Sequence, residues 1–197
     1  MGNEIADVAE QFKVNGNIPA NLNSMFITLI LKAADPTSFG DFRAISLCNL
    51  IYKITSKLIA NRIKTTLEKH ISREQYGFLR GRSIHEAMAV AQEALHSMHL
   101  ERREAFIMKI DLMKAYDSLD WSYIRLVLLK IGLSIPIIRW IMTCITTVWY
   151  AVIINSLPTA FFDATRGFRQ GCALSPMIFI LVMDKFSKML LLNKVDA

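Results

Sequence analysis

The stretch IMKIDLMKAYDSLDW, residues 107–121, places two carboxylates, Asp111 and Asp117, near one large ring, Tyr116. An apolar run ends on Asp111. An acid in that position is costly to desolvate unless something positive meets it. A bound Mg²⁺ would meet it, and would also hold a phosphate-bearing substrate. A turn cap, or a pair with Lys109 or Lys114, would account for it equally well. Asp117 has the same alternatives, and its nearness to a helix start favours the structural one.

A second stretch, RGFRQGCALSP (166–176), carries two glycines, with Arg166 before the first and Arg169 and Gln170 between the two. Gly167 and Gly171 would let backbone approach a ligand closely, and the arginines could meet phosphate. Elsewhere, His96 and His99 share a helix face without a third ligand nearby, so they read as surface residues. Cys48, Cys144 and Cys172 stand far apart in no metal-like spacing. They suit a reducing compartment and suggest no disulfide framework.

The elements that position these residues follow from apolar period and turn chemistry. LNSMFITLILK (22–32) reads as a strand, and ADPTSFGD after it as a loop. Residues 47–70 keep helical spacing through Leu47, Ile51, Ile54, Leu58, Ile63 and Leu67. Lys53, Lys57 and Lys64 fall on one face of that helix, with Arg62 nearer the apolar side. Residues 81–99 open with Ser83 and Glu86 in capping-box spacing. The N–H groups of that turn, beside Arg80 and Arg82, would make an anion site or simply a well-capped helix.

AFIMKID (105–111) reads as a central strand that delivers Asp111. Asp120 caps a helix ending before Gly132, and a further apolar helix covers about 135–146. Residues 148–155 and 159–167 flank SLP as a hairpin. Ser175 and Pro176 then open a helix running to about Leu192. The order is α+β, with no internal repeat or linker.

Bulk composition agrees with a packed domain. The 197 residues are 53% hydrophobic and carry a net charge of +6. The mean hydropathy is +0.32. The longest apolar stretch, 135–154, is interrupted by Pro136, Arg139 and threonines, and 177–183 is too short to span a bilayer. Glu4, Asp7 and Glu10 argue against a leader peptide. Between Lys53 and Arg82 stand eight basic residues, opposed by Glu68 and Glu74. That concentration fits a polyanionic partner or a solvated helix face.

Four segments in order, DFRAISLCNLIYKITSKLIANRI (41–63), QYGFLRGRSIHEA (75–87), KIDLMKAYDSLDW (109–121) and GFRQGCALSPMIF (167–179), resemble the reverse transcriptase of LINE-type retrotransposons, particularly those of plants. The resemblance runs from about Phe26 to about Leu192. It implies an α+β right-hand polymerase fold. Residues 1–24 would be a helical lead-in, about 25–104 fingers, and about 105–197 a partial palm without its Ala-Asp-Asp hairpin or a thumb.

By the same resemblance, Asp111 is the first catalytic, metal-binding aspartate. Tyr116 is the gate against a ribose 2′-OH, Gln170 and Gly171 lie against the incoming nucleotide, and Arg43 reaches its triphosphate. Lys53, Lys57, Arg62, Arg80, Arg82 and Arg169 are the implied template–primer contacts. Mg²⁺, an RNA template, a DNA primer and a dNTP are the implied cofactor and partners, in the nucleus or cytoplasm and with no membrane.

Departures from the family pattern set limits on this reading. Leu31, Ala44 and Ala173 stand where the family usually has proline. No Asp-Asp pair occurs in the chain, and neither Asp184 nor Asp196 can replace it. The expectation is therefore an RNA-directed DNA polymerase domain that does not polymerise as this chain alone. The alternative is a relic that binds nucleic acid without chemistry.

Overall fold

The computed structural model describes residues 10, 14–16, 18–79, 81–102, 104 and 108–192. Its sheet is built on β1 (Ser24–Leu31), whose Phe26-Ile-Thr-Leu-Ile run favours extended backbone. β2 (Phe42–Leu47) runs antiparallel along one side of β1, and β3 (Trp149–Ile154) runs parallel along the other. β3 also pairs with β4 (Leu157–Pro158) and β5 (Phe162–Asp163). The turn between β3 and β4 is centred on Asn155 and Ser156, at φ 50° and 66°. Two successive positive φ values match the right-handed strand twist. Leu157 and Pro158, which the sequence pattern assigns with Ser156 to the turn, are strand.

The helices are α1 (Ala20–Asn23), α2 (Leu50–Glu68), α3 (Ile84–Leu100), α4 (Ala115–Ser118), α5 (Trp121–Lys130), α6 (Ile135–Thr146) and α7 (Leu174–Leu192). α2 starts later than its apolar period suggests. Leu47 pairs with Phe26 in the sheet, and the Asn49 side chain accepts from the Ile51 N–H at 3.0 Å. Its buried positions, Tyr52, Thr55, Ser56, Ile59, Ala60, Ile63 and Leu67, recur once per helical turn, singly or as adjacent pairs, along one face. Arg62 lies outside that face and is exposed, contrary to its expected place near the apolar side.

α5 begins where Asp120 accepts from Ser122 N at 2.7 Å and Tyr123 N at 3.3 Å. These bonds hold the Asp120 carboxyl below its ordinary range. α2 packs against α6 and α7, and α5 against α6 and α7. Leu67, Ile124, Leu128, Ile141, Leu174, Ile178 and Leu181 are fully buried between them. Asn23 ties the sheet to this layer, donating to the Thr147 carbonyl at 2.8 Å and its hydroxyl at 2.7 Å.

One expected element is not formed over its described residues. The strand at 105–111 falls partly outside the described residues, and its described part, 108–111, is irregular and exposed. A strand exists by pairing, and no described segment pairs with 108–111. Met108, Ile110 and Met113 are left 68%, 57% and 86% exposed. α3, whose capping box at Ser83 and Glu86 forms as expected, buries no residue.

Candidate active site

Asp111 lies on an exposed, irregular segment that turns at Lys114 into α4. Lys114 holds φ 52°, a conformation costly for a residue with a Cβ. The turn aims Tyr116 inward. Its ring stacks on Phe179 at 4.3 Å between centroids and meets the edge of Phe168 at 6.1 Å. Burial, with Cys172 nearby, pushes the phenol up to about 12. It is a half-buried ring held between two other aromatic side chains.

Backbone bonds stitch this turn to the loop at 167–172. Gly167 N donates to Leu119 O at 2.8 Å, and Phe168 N donates to Tyr116 O at 2.8 Å. From the other side, Trp121 Nε1 donates to Gly167 O at 2.9 Å. A third segment joins through Ser46 N, which donates to Gln170 O at 3.2 Å. Arg43 lies three residues earlier on β2, exposed and opposite Ile30. Tyr116, Gln170, Gly171 and the strand bearing Arg43 thus converge, although Tyr116 stands 54 residues before Gln170 in sequence and Arg43 stands 127 before it.

The two glycines of this loop have different roles. Gly167, at φ +80°, presses its bare Cα against its own chain, where a Cβ would lie 2.7 Å from Asp117 O. It serves loop-to-loop contact and not approach to a ligand. Gly171, at φ +111°, is exposed beside Ser46 O.

Arg169 departs furthest from expectation. It is 1% exposed, so it cannot be a surface contact to template or primer as it stands. Its guanidinium lies over the Tyr52 ring, 4.1 Å from the centroid. None of its three guanidinium nitrogens finds a hydrogen-bond partner among the described residues. The backbone explains the burial: Phe168 and Cys172 on either side both point into the core. Burial raises the neighbouring Cys48 and Cys144 thiols, the latter to about 12.

Of the remaining cations, Lys53, Lys57 and Arg62 are exposed on α2. Arg82 is instead turned onto its own chain, where Nη1 donates to the carbonyls of Ser72 and Gln75. It closes the 72–75 loop, a role that its neighbour Ser83 masks in the sequence. Arg80 and Asp196 lie outside the described residues. Among the described residues no group of three His, Cys, Asp or Glu stands together. Asp111 therefore offers one carboxylate, and the described residues do not fit a two-metal centre.

Trp121 and Ser46 are the residues that sequence reasoning missed. A tryptophan directly after a helix cap is a usable signal, because its indole N–H needs a partner when it is half-buried. Ser46 carries no signal of its own.

Residues 30–195 match the family described as Reverse transcriptase (RNA-dependent DNA polymerase). The chain is 27% identical over 179 residues to the Transposon TX1 uncharacterized 149 kDa protein of Xenopus laevis, covering 91% of this chain and 14% of that one. It is 22% identical over 174 residues to a Retrovirus-related Pol polyprotein from type-1 retrotransposable element R2 of Popillia japonica, covering 87% and 24%. It therefore spans less than a quarter of the length of these relatives. In fold it resembles apo telomerase from Candida tropicalis truncated from its C-terminal domain. The TM-score is 0.53 at 17% identity, covering 92% of this chain and 43% of that one.

Proposed function

The chain belongs to the reverse transcriptase (RNA-dependent DNA polymerase) family, and from that premise we propose that it is the fingers and part of the palm of a LINE-type retrotransposon polymerase. The observation that carries this reading is the stitching of three segments. The Tyr116 turn, the Gln170–Gly171 loop and β2 are held together by the Gly167–Leu119, Phe168–Tyr116 and Ser46–Gln170 bonds. Such a rigid junction suits a nucleotide pocket, because a reacting group must be held to within a fraction of an ångström.

In this reading Tyr116 and Gly171 shape the floor under an incoming dNTP, and Arg43 supplies charge for its triphosphate. Lys53, Lys57 and Arg62 follow the backbone of a template–primer duplex. Phosphate contacts of that kind position nucleic acid without reading its sequence.

The family's nucleotidyl transfer uses a divalent metal. Asp111 would be one ligand of a Mg²⁺ set that the described residues leave incomplete. The chain by itself binds template and primer but does not copy. That Asp111 has no group of three such ligands around it among the described residues favours this binding role over catalysis.

The test is an RNA template annealed to a labelled DNA primer, titrated with the chain and then supplied with dNTPs and Mg²⁺ or Mn²⁺. The expected result is binding that weakens steeply with salt and no primer extension. Metal-dependent extension abolished by Asp111→Ala would show a complete catalytic set. Absent or salt-independent binding would remove the nucleic-acid reading.

A further inference from the structure

From Trp121 to Phe162 the sequence contains no Asp or Glu, yet it carries Arg125, Lys130 and Arg139. α5 displays two of these cations at its surface. At about 100° per residue, Arg125, Leu129, Ser122, Leu126 and Lys130 follow one another across a single arc. All five are exposed, and Leu126 and Leu129 are 63% and 41% open to solvent. The opposite face of α5 buries Ile124, Val127 and Leu128. The exposed arc is therefore a ridge of two leucines with a cation on either side.

A groove runs along each flank of this ridge. One, of about 220 Å³, lies against α6 and is lined by Arg125, Leu129, Ile138, Arg139 and Met142 among others. The other, of about 450 Å³, lies against α7 and is lined by Leu126, Lys130, Lys185, Lys188 and Met189 among others. The carboxylate beside the second groove, Asp184, is 4% exposed. It is engaged by Ser72 N at 3.0 Å and Lys188 Nζ at 3.1 Å. The outward character of the surface is apolar at its centre and positive at its margins.

We infer that this ridge docks an acidic amphipathic helix of a protein partner. The partner's apolar side chains sit on Leu126 and Leu129, and its carboxylates reach Arg125 and Lys130. Anchors spaced three or four residues apart match a leucine ridge between grooves, and opposite charge at the rim steers the encounter. A nucleic acid fits less well. Its phosphates would face two leucines with nothing to donate, and the groove residues carry two rings for base stacking, His70 and Tyr123, both in the second groove. This surface is separate from the proposed nucleotide pocket and does not depend on it.

The probe is a labelled synthetic helical peptide with Leu at every third or fourth position and Glu elsewhere, titrated into the whole chain by fluorescence anisotropy. The comparison probes are the same peptide with Gln for Glu, and an oligothymidylate. The Glu peptide is expected to bind at least about tenfold more tightly than the Gln peptide. Leu126→Ser and Lys130→Glu are each expected to weaken it about tenfold, with helix content checked by circular dichroism. Lys130→Glu is a surface change that keeps the test open if Leu126→Ser unfolds. No binding, equal binding of the Gln peptide, or oligothymidylate competing at the same residues would overturn the inference. Self-association of the chain that Leu126→Ser abolishes would overturn it too.

Discussion

The guanidinium of Arg169 rests 4.1 Å from the centre of the Tyr52 ring, and its nitrogens have no hydrogen-bond partner among the described residues. Two magnitudes decide whether this contact stabilises the fold. A desolvated cation–π contact contributes about 2 kcal/mol. Removing a cation from water costs several kcal/mol even after relaxation. Cost exceeds gain, so Arg169→Met is expected to leave stability unchanged or raise it by about 1–4 kcal/mol. Urea midpoints at constant slope measure this. A loss of several kcal/mol would mean that the charge itself holds the 167–172 loop.

Gly167 is expected to tolerate no side chain. Alanine there meets Asp117 backbone at 2.7–2.9 Å, and both partners are main chain that cannot rotate away. Positive φ adds about 1–2 kcal/mol for any residue with a Cβ. Gly167→Ala should therefore cost more than about 3 kcal/mol in total, and should loosen the Tyr116 turn with it. The check is a paired measurement of unfolding midpoint and dNTP-dependent protection of the 114–121 amides. A variant as stable as the parent would mean that the two loops are not locked.

The parts of this fold legible in sequence are those set by local chemistry. Ser83 with Glu86, and Asp120 before an apolar run, each satisfy helix-end groups within three residues. Their elements appear where expected. The misread parts depend on distant partners. An apolar run at 105–111 resembles a strand, but apolarity does not tell whether an edge is present to pair with it. Arg169 looked like a phosphate contact because its type and its glycine neighbours suit one, and only the inward turn of Phe168 and Cys172 shows where it goes. Gly167 signalled a close approach without saying to what. The four family motifs each carry constraints of the whole fold, and three of them meet here through backbone hydrogen bonds that join the Tyr116 turn, the Gln170 loop and the strand bearing Arg43.

The basic face of α2 makes a quantitative expectation for nucleic-acid binding. Each phosphate neutralised on a duplex contributes about 0.9 to the slope of log affinity against log salt. Replacing Lys53, Lys57 and Arg62 together by glutamine should flatten that slope by up to about three. All three are exposed, so the fold should be unaffected. Anisotropy titrations of an RNA–DNA hybrid at several salt concentrations measure it. An unchanged slope would place the binding face elsewhere on the chain.

Asp184 should make the contact between α7 and the loop after α2 sensitive to acid. Burial opposes its ionisation, but hydrogen bonds from Ser72 and the nearby Lys188 outweigh that and hold its carboxyl below the ordinary 3.8. A depressed value in the folded state means that the folded chain binds this proton less readily than the unfolded chain. The contribution is then complete above the ordinary value and fades as pH falls through the folded one. Urea midpoints should therefore drop below about pH 4. Asp184→Asn should lower stability at neutral pH, since Lys185 and Lys188 lose their partner, and should flatten the acid limb. An acid limb as steep in the variant as in the parent would assign the loss to other carboxylates, with Asp120 and Asp41, both held below their ordinary range by backbone hydrogen bonds, the next to be replaced.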